Sequence, residues 1–150
     1  MNKRFLPVLA ALAAAILASA CSGVRPRLSD GRVPDVINEN PDHRGYFEAI
    51  GIGAADPALP TETQRRSLAR DAAIVKAQYE LLSLVKGVEL DGGYKVSRAI
   101  AVDSSLESRV KASISGAEVL KSEFTKDGGC VVTLRLPKDR LAQDTGLALR

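Results

Sequence analysis

Histidine, tryptophan and cysteine are nearly missing from this chain of 150 residues, which has one His, no Trp, two Cys and only 4% aromatic residues. The single histidine, His43, lies in a stretch rich in proline and glycine, where an imidazole-based catalytic or metal centre has no rigid frame. No set of ligands has metal spacing, and no Ser or Cys has a base in view along the sequence. No pair of carboxylates stands out for acid–base work, so the residues nominate no catalytic group and no metal. A Met-rich or aromatic face for a cofactor is also absent, and no cofactor is expected. One charge does not dominate either. Taking Lys3 and Arg4, which lie in a segment argued below to be cleaved, from the 21 basic residues leaves 19 against 18 acidic, a net charge of +1. Net charge therefore points to no nucleic-acid partner. The length admits one modest domain.

A long hydrophobic run is lacking too. A membrane-spanning helix needs about 20 apolar residues. The apolar stretch from Phe5 to Leu17 is shorter, contains Pro7 and is soon followed by Gly23 and Arg25. With Lys3 and Arg4 before it and the small residues Ala18, Ser19 and Ala20 after it, residues 1–20 read as a secretory signal. Small residues directly ahead of Cys21 resemble a bacterial lipobox, whose cysteine is acylated on sulfur and becomes the first residue after cleavage. Ala18 stands where the pattern favours Leu, and Leu17 sits one place earlier. Ordinary cleavage near Ala20 is the alternative. Acyl chains would hold the protein to a bilayer, each buried methylene contributing about 0.8 kcal/mol. Ser22, rather than Asp, follows the cysteine, which by analogy with lipoprotein sorting in Gram-negative bacteria implies the outer membrane, on its periplasmic side. Lipidation of Cys21 would leave only Cys130, so no internal disulfide is expected.

Residues 21–45 carry Pro26, Pro34, Pro41, Gly23, Gly31 and Gly45 among charged residues without an apolar period. They read as the lipidated cysteine and a flexible tether, which would span at most about 80 Å extended and roughly 27 Å as a coil. The domain is expected over 46–142, with a C-terminal tail at 143–150.

The domain opens with a strand from Tyr46 to Ala54, in which Tyr46, Ile50 and Ile52 share one face and Phe47, Ala49, Gly51 and Gly53 the other. Two glycines at alternate positions imply that a helix backbone packs closely over their face. Gly51-Ile52-Gly53 is not a dinucleotide-binding turn. Asp56 occupies the third glycine position, and Pro57 and Pro60 delay the helix that should open there. Thr61-Glu62-Thr63-Gln64 has the pattern of a capping box and starts a helix running to about Lys86. Leu68, Ala72, Val75, Tyr79 and Leu82 form its apolar stripe, widened by Ile74, Ala77, Leu81 and Val85. Arg65, Arg66 and Arg70 near its start oppose the macrodipole. They are the candidate partner-binding residues, for an anionic protein or lipid head groups; a merely solvated face is the alternative. Asp91-Gly92-Gly93 signals a turn, and Tyr94 to Val102 reads as a strand. Ser104-Ser105-Leu106-Glu107 suggests a second capping box and a shorter helix ending at Gly116. A hairpin follows, with strands at Ala117–Thr125 and Cys130–Leu136 around Lys126-Asp127-Gly128-Gly129. Its second strand puts Cys130 on a core-like face with Val132, Leu134 and Leu136, as a small apolar residue. The order of elements predicts an α+β domain: a small, mainly antiparallel sheet with one long and one short helix packed on one face.

A lipobox, then Ala49-Ile50-Gly51-Ile52-Gly53-Ala54, an Ala-rich helix with Arg70-Asp71-Ala72-Ala73 leading to Val85-Lys86-Gly87-Val88, Gly116-Ala117-Glu118-Val119 and the strand Cys130-Val131-Val132-Thr133-Leu134 resemble the Lpp-twenty lipoprotein family. The resemblance covers about residues 46 to 137. The N-terminal domain of flagellar assembly protein T is similar in organisation. Neither resemblance implies catalytic residues. What they imply is a non-enzymatic lipoprotein of the outer membrane, presenting a small binding module to an envelope or flagellar-base protein. The alternative is a lipid-anchored periplasmic enzyme of unknown reaction.

Overall fold

The structure, a computed structural model, describes residues 24–34, 37 and 40–149. The expected signal segment and Cys21 lie outside the described residues. Elements run in the order β1 (Tyr46–Gly53), α1 (Glu62–Gly87), α2 (Val96–Val102), α3 (Ser104–Ser115), β2 (Glu118–Phe124), β3 (Cys130–Pro137) and α4 (Lys138–Thr145). The fold is α+β. Among the described residues, three antiparallel strands form one sheet in the order β1-β3-β2, accompanied by four helices rather than the two expected.

β1 alternates as its sequence predicts. Phe47 and Ala49 are buried on the inner face, and Gly51 and Gly53 complete it. A Cβ built on Gly51 would lie 1.9 Å from the Ala73 carbonyl oxygen, and one on Gly53 2.0 Å from that of Ala69. Neither glycine has a positive φ, so they are needed for space, not for conformation. The α1 backbone sits in the groove they leave.

That close approach corrects the face of α1. The buried row is Ala69, Ala73, Ala77, Leu81 and Val85, at steps of four residues. Ala77, Leu81 and Val85, from the edge of the expected stripe, are buried as expected, but Leu68, Val75 and Tyr79 at its centre are exposed. Both rows have helical spacing, but only side chains as small as Ala fit between a helix backbone and a glycine strand. The helix start is as expected: the Thr61 hydroxyl accepts from the Gln64 N–H at 3.2 Å, and Gln64 Oε1 accepts from the Thr61 N–H at 3.3 Å.

Two further expectations are corrected. Residues 96–102 form helix α2, not a strand. Strand alternation would have put Arg98 on one face with Val96 and Ile100; the helix instead turns Val96, Ala99 and Ile100 to the core and leaves Arg98 exposed. The turn ahead of it holds, with Gly92 and Gly93 at φ 117° and 77°. Helix α3 is capped by Asp103, whose carboxylate accepts from the Ser105 N–H at 2.9 Å. Ser104, the expected cap, lies inside the helix, and Glu107 pairs with Lys111 at 2.9 Å instead of reaching back.

The β2–β3 hairpin turns where its glycines allow, with Gly128 at φ 86°. β3 is the central strand: Cys130, Val132, Leu134 and Leu136 fill the inner face, and Val131 and Thr133 are buried on the outer one. Beyond it α4 buries Leu141 and ends at Gly146 in the left-handed conformation. The tail is not loose, since Leu147 and Leu149 pack against the core and Leu149 bridges Leu90.

The expected tether also has fixed contacts within its described part. Ser29 and Arg32 exchange backbone hydrogen bonds across a tight turn with Asp30 and Gly31 at φ 51° and 72°. The Gly31 carbonyl accepts from the Lys126 N–H at 3.0 Å, and Pro41 and His43 bond the β1 backbone.

Candidate functional site

The three candidate arginines do not make one surface. Successive helix positions are about 100° apart, so Arg66 and Arg70, four residues apart, share a side that Arg65 does not. Arg65 donates to the Leu59 carbonyl at 2.6 Å, tying the helix start to the loop before it. Arg66 pairs with Glu62 at 2.9 Å and lies 5.2 Å above the Phe124 ring, with half of its side chain exposed. Arg70 is partly buried, and its charge reaches Cys130 on the hairpin. Glu62, in the first turn, offsets part of the unfavourable charge there.

The outward side of α1 is apolar instead. Leu68, Val75 and Tyr79 are 46%, 51% and 66% exposed, on the side opposite the alanine row. A shallow groove of about 240 Å³ between α1 and α3 continues this surface, lined by Val75, Gln78, Tyr79, Leu82, Lys111 and Ile114. Spacing alone identifies these residues as apolar and helical; it takes them for the core because a stripe of three- and four-residue steps is ordinarily buried.

The outer sheet face carries a chain of charges that no motif announces. Glu48 of β1, its side chain 10% exposed, pairs with Arg27 at 2.5 Å and with Arg135 of β3 at 3.5 Å. Arg135 lies 4.1 Å above the Tyr46 ring, on which His43 stacks at 4.3 Å. Glu123 of β2 accepts from the Arg27 backbone N–H at 2.8 Å and pairs with Lys121 at 3.4 Å. Each carboxylate thus has cationic or N–H partners, as burial requires. Nearby, a cleft of about 570 Å³ opens between the Gly31 turn, Ile52 and the hairpin tip at Lys126 and Asp127.

Cys130 is fully buried, and burial pushes its thiol pKa up, away from the reactive thiolate. Among the described residues, no three His, Cys, Asp or Glu side chains converge on a possible metal position, and no helix is long and apolar enough to cross a membrane. Asp103, Glu107 and Asp127 have pKa values below the ordinary carboxylate range, through the Ser105 hydroxyl, Lys111 and the Thr125 hydroxyl respectively. Those shifts belong to caps, pairs and turns.

The fold and these surfaces define an α+β domain with one apolar helix side exposed. No protein-family model, curated protein or solved structure matches the chain.

Proposed function

We propose that this protein is a lipoprotein of the Lpp-twenty type, anchored in the outer membrane through Cys21, that presents its α+β domain as a non-catalytic binding module to another envelope or flagellar-base protein. The observation that carries this reading is the N-terminal pattern of Lys3 and Arg4, the apolar run to Leu17, and Ala18, Ser19 and Ala20 directly before Cys21. Exposed Leu68, Val75 and Tyr79 on one side of a long helix support a binding role, because clustered large apolar side chains on a surface mark interaction sites. They replace the arginine trio as the favoured contact, since Arg65 and Arg66 already have partners within the chain.

The test is Cys21→Ser in cells. Palmitate incorporation should vanish, and the protein should move to the soluble fraction or remain as uncleaved precursor. Normally processed Cys21→Ser protein that stays in the outer-membrane fraction would refute the anchor. For the module, a photocrosslinker at Tyr79 should capture one envelope protein, in a yield lowered by Leu68→Asp with Val75→Asp at equal abundance. An unchanged yield would reject that surface.

A further inference from the structure

Val131 and Thr133 point away from α1, yet each is only 1% exposed, so the outer sheet face is covered by something other than the helices. Residues 24–34 lie there. Arg27 spans two strands, its backbone N–H donating to Glu123 of β2 and its guanidinium pairing with Glu48 of β1. Two residues on, Ser29 to Arg32 closes a tight turn whose central residues, Asp30 and Gly31, both have positive φ. That turn hands the Gly31 carbonyl to the Lys126 N–H at the hairpin tip. Contacts to all three strands or their connections, made within a few residues, are those of a docked segment and not of a coil.

We propose that residues 24–34 are a strap belonging to the folded domain, and that the strap turns the outer sheet face toward the lipid surface holding Cys21. The membrane half of this proposal rests on the reading of Cys21 as lipidated. Arg27 follows Cys21 by six residue steps, which is at most about 20 Å of extended chain. The clamp at Glu48 and Glu123 therefore stays within that distance of the acylated residue, where a free tether would allow several times more. α1 packs on the opposite sheet face, against Gly51 and Gly53. Leu68, Val75 and Tyr79 consequently face away from the bilayer, one sheet and one helix beyond the strap, a further distance of about 20 Å. The anchor not only retains the domain; through the strap it orients the domain, lipid on one side and the exposed helix on the other.

The test uses the full lipidated chain in vesicles of phosphatidylethanolamine and phosphatidylglycerol. The Lys126 amide bonds to the strap, so its hydrogen exchange reports docking directly. It should be protected in the native chain and lose about tenfold or more of that protection in Arg27→Ala, while the amides of the β1–β3 ladder keep theirs. Should Arg27→Ala unfold the sheet, Gly31→Val, which opposes a φ of 72° without touching either carboxylate, should give the same selective loss. Free exchange at Lys126 in the native chain overturns the strap. Orientation is read from a fluorophore at Lys126→Cys or at Tyr79→Cys with a quencher on the lipid head groups: quenching should be strong at 126 and weak at 79. Equal quenching at both overturns the orientation. Protein that fails to associate with vesicles while Lys126 stays protected refutes the anchor and the membrane half, and supports the strap.

Discussion

Replacing Gly51 with alanine adds one methyl group, and in this fold that group has nowhere to go. Its carbon would stand 1.9 Å from the Ala73 carbonyl oxygen and 2.4 Å from the Ala77 nitrogen, where real contacts essentially never fall under 3.0 Å. To admit it, the α1 backbone must retreat from β1 by at least about 1 Å, and a gap of 0.5–1 Å already forfeits roughly a quarter to a half of the dispersion attraction across a contact. The obstacle is main chain on a helix of 26 residues, so no rotamer change relieves it. Overpacking ordinarily costs about 1–3 kcal/mol, and this case belongs at the upper end, about 3 kcal/mol. At roughly 4 °C per kcal/mol for a domain of this size, the thermal midpoint should drop by about 12 °C. The assay is circular dichroism melting of the chain from Ser22 onward. Gly87→Ala is the control, because a Cβ there meets nothing within 4 Å and a helical Gly→Ala change stabilises by about 0.5–1 kcal/mol. The double variant Gly51→Ala with Ala73→Gly should remain destabilised, since that second change removes neither the carbonyl nor the amide that the new methyl meets. An unchanged midpoint in Gly51→Ala would refute the close-packing argument; rescue by Ala73→Gly would show that side chains, not backbone, form the contact.

Leu81→Ala, at a fully buried position, should destabilise by about 2–5 kcal/mol, measured by urea unfolding with an unchanged m-value. Gly128→Ala places a Cβ at φ 86° in the hairpin turn and should lower stability by about 1–2 kcal/mol in the same assay. Tyr79→Ala, 66% exposed, should leave the midpoint within about 0.5 kcal/mol of native; a larger loss would place that ring in the core. The buried Cys130 thiol has a pKa raised above its ordinary 9.0. The unfolded chain therefore releases its proton first, and this contribution to stability is intact below that value and lost as pH rises toward the folded pKa. Cys130→Ala should show a shallower alkaline loss in melts from pH 8 to 10. Asp103 has the opposite sign: its depressed pKa means that the cap contributes above the ordinary carboxylate range and fades as pH falls through the folded value. Asp103→Ala should reduce the acid-side dependence read by the circular dichroism melts, leaving the share that Glu107 contributes through Lys111.

Several readings from sequence hold because their information is local. The Thr61 to Gln64 box is complete within four residues, and the glycine-bearing turn of the hairpin is set by the φ values that Gly128 allows. Others fail where two local readings compete. The β-branched residues between Tyr94 and Val102 suit a strand, yet the spacing of Val96, Ala99 and Ile100 also suits one helical side. Asp103 and Ser104 are both good caps, and the helix uses the first. The strap is missed although Asp30-Gly31 is a recognised signal for a two-residue turn. The prolines and charges around it look like a linker, and its partners Glu48, Glu123 and Lys126 are distant in sequence.

By itself the sequence determined the α+β class, the alternation of β1, the start of α1, the hairpin and the burial of Cys130. Hydrogen bonds between near neighbours and the two-residue period of a strand are properties of short segments, legible wherever they occur. Which side of α1 is buried is a different kind of question. Leu68, Ala72, Val75 and Tyr79 are as well spaced as Ala69, Ala73 and Ala77, and the larger side chains would bury more apolar area. Tertiary structure decided against them because Gly51 and Gly53 bring the helix backbone against the sheet, and steric exclusion at that distance outweighs the area a leucine or tyrosine would bury. Only the folded chain could likewise show that Arg27 bridges Glu48 and Glu123, since the pairing of charges far apart in sequence is set by where the strands place them.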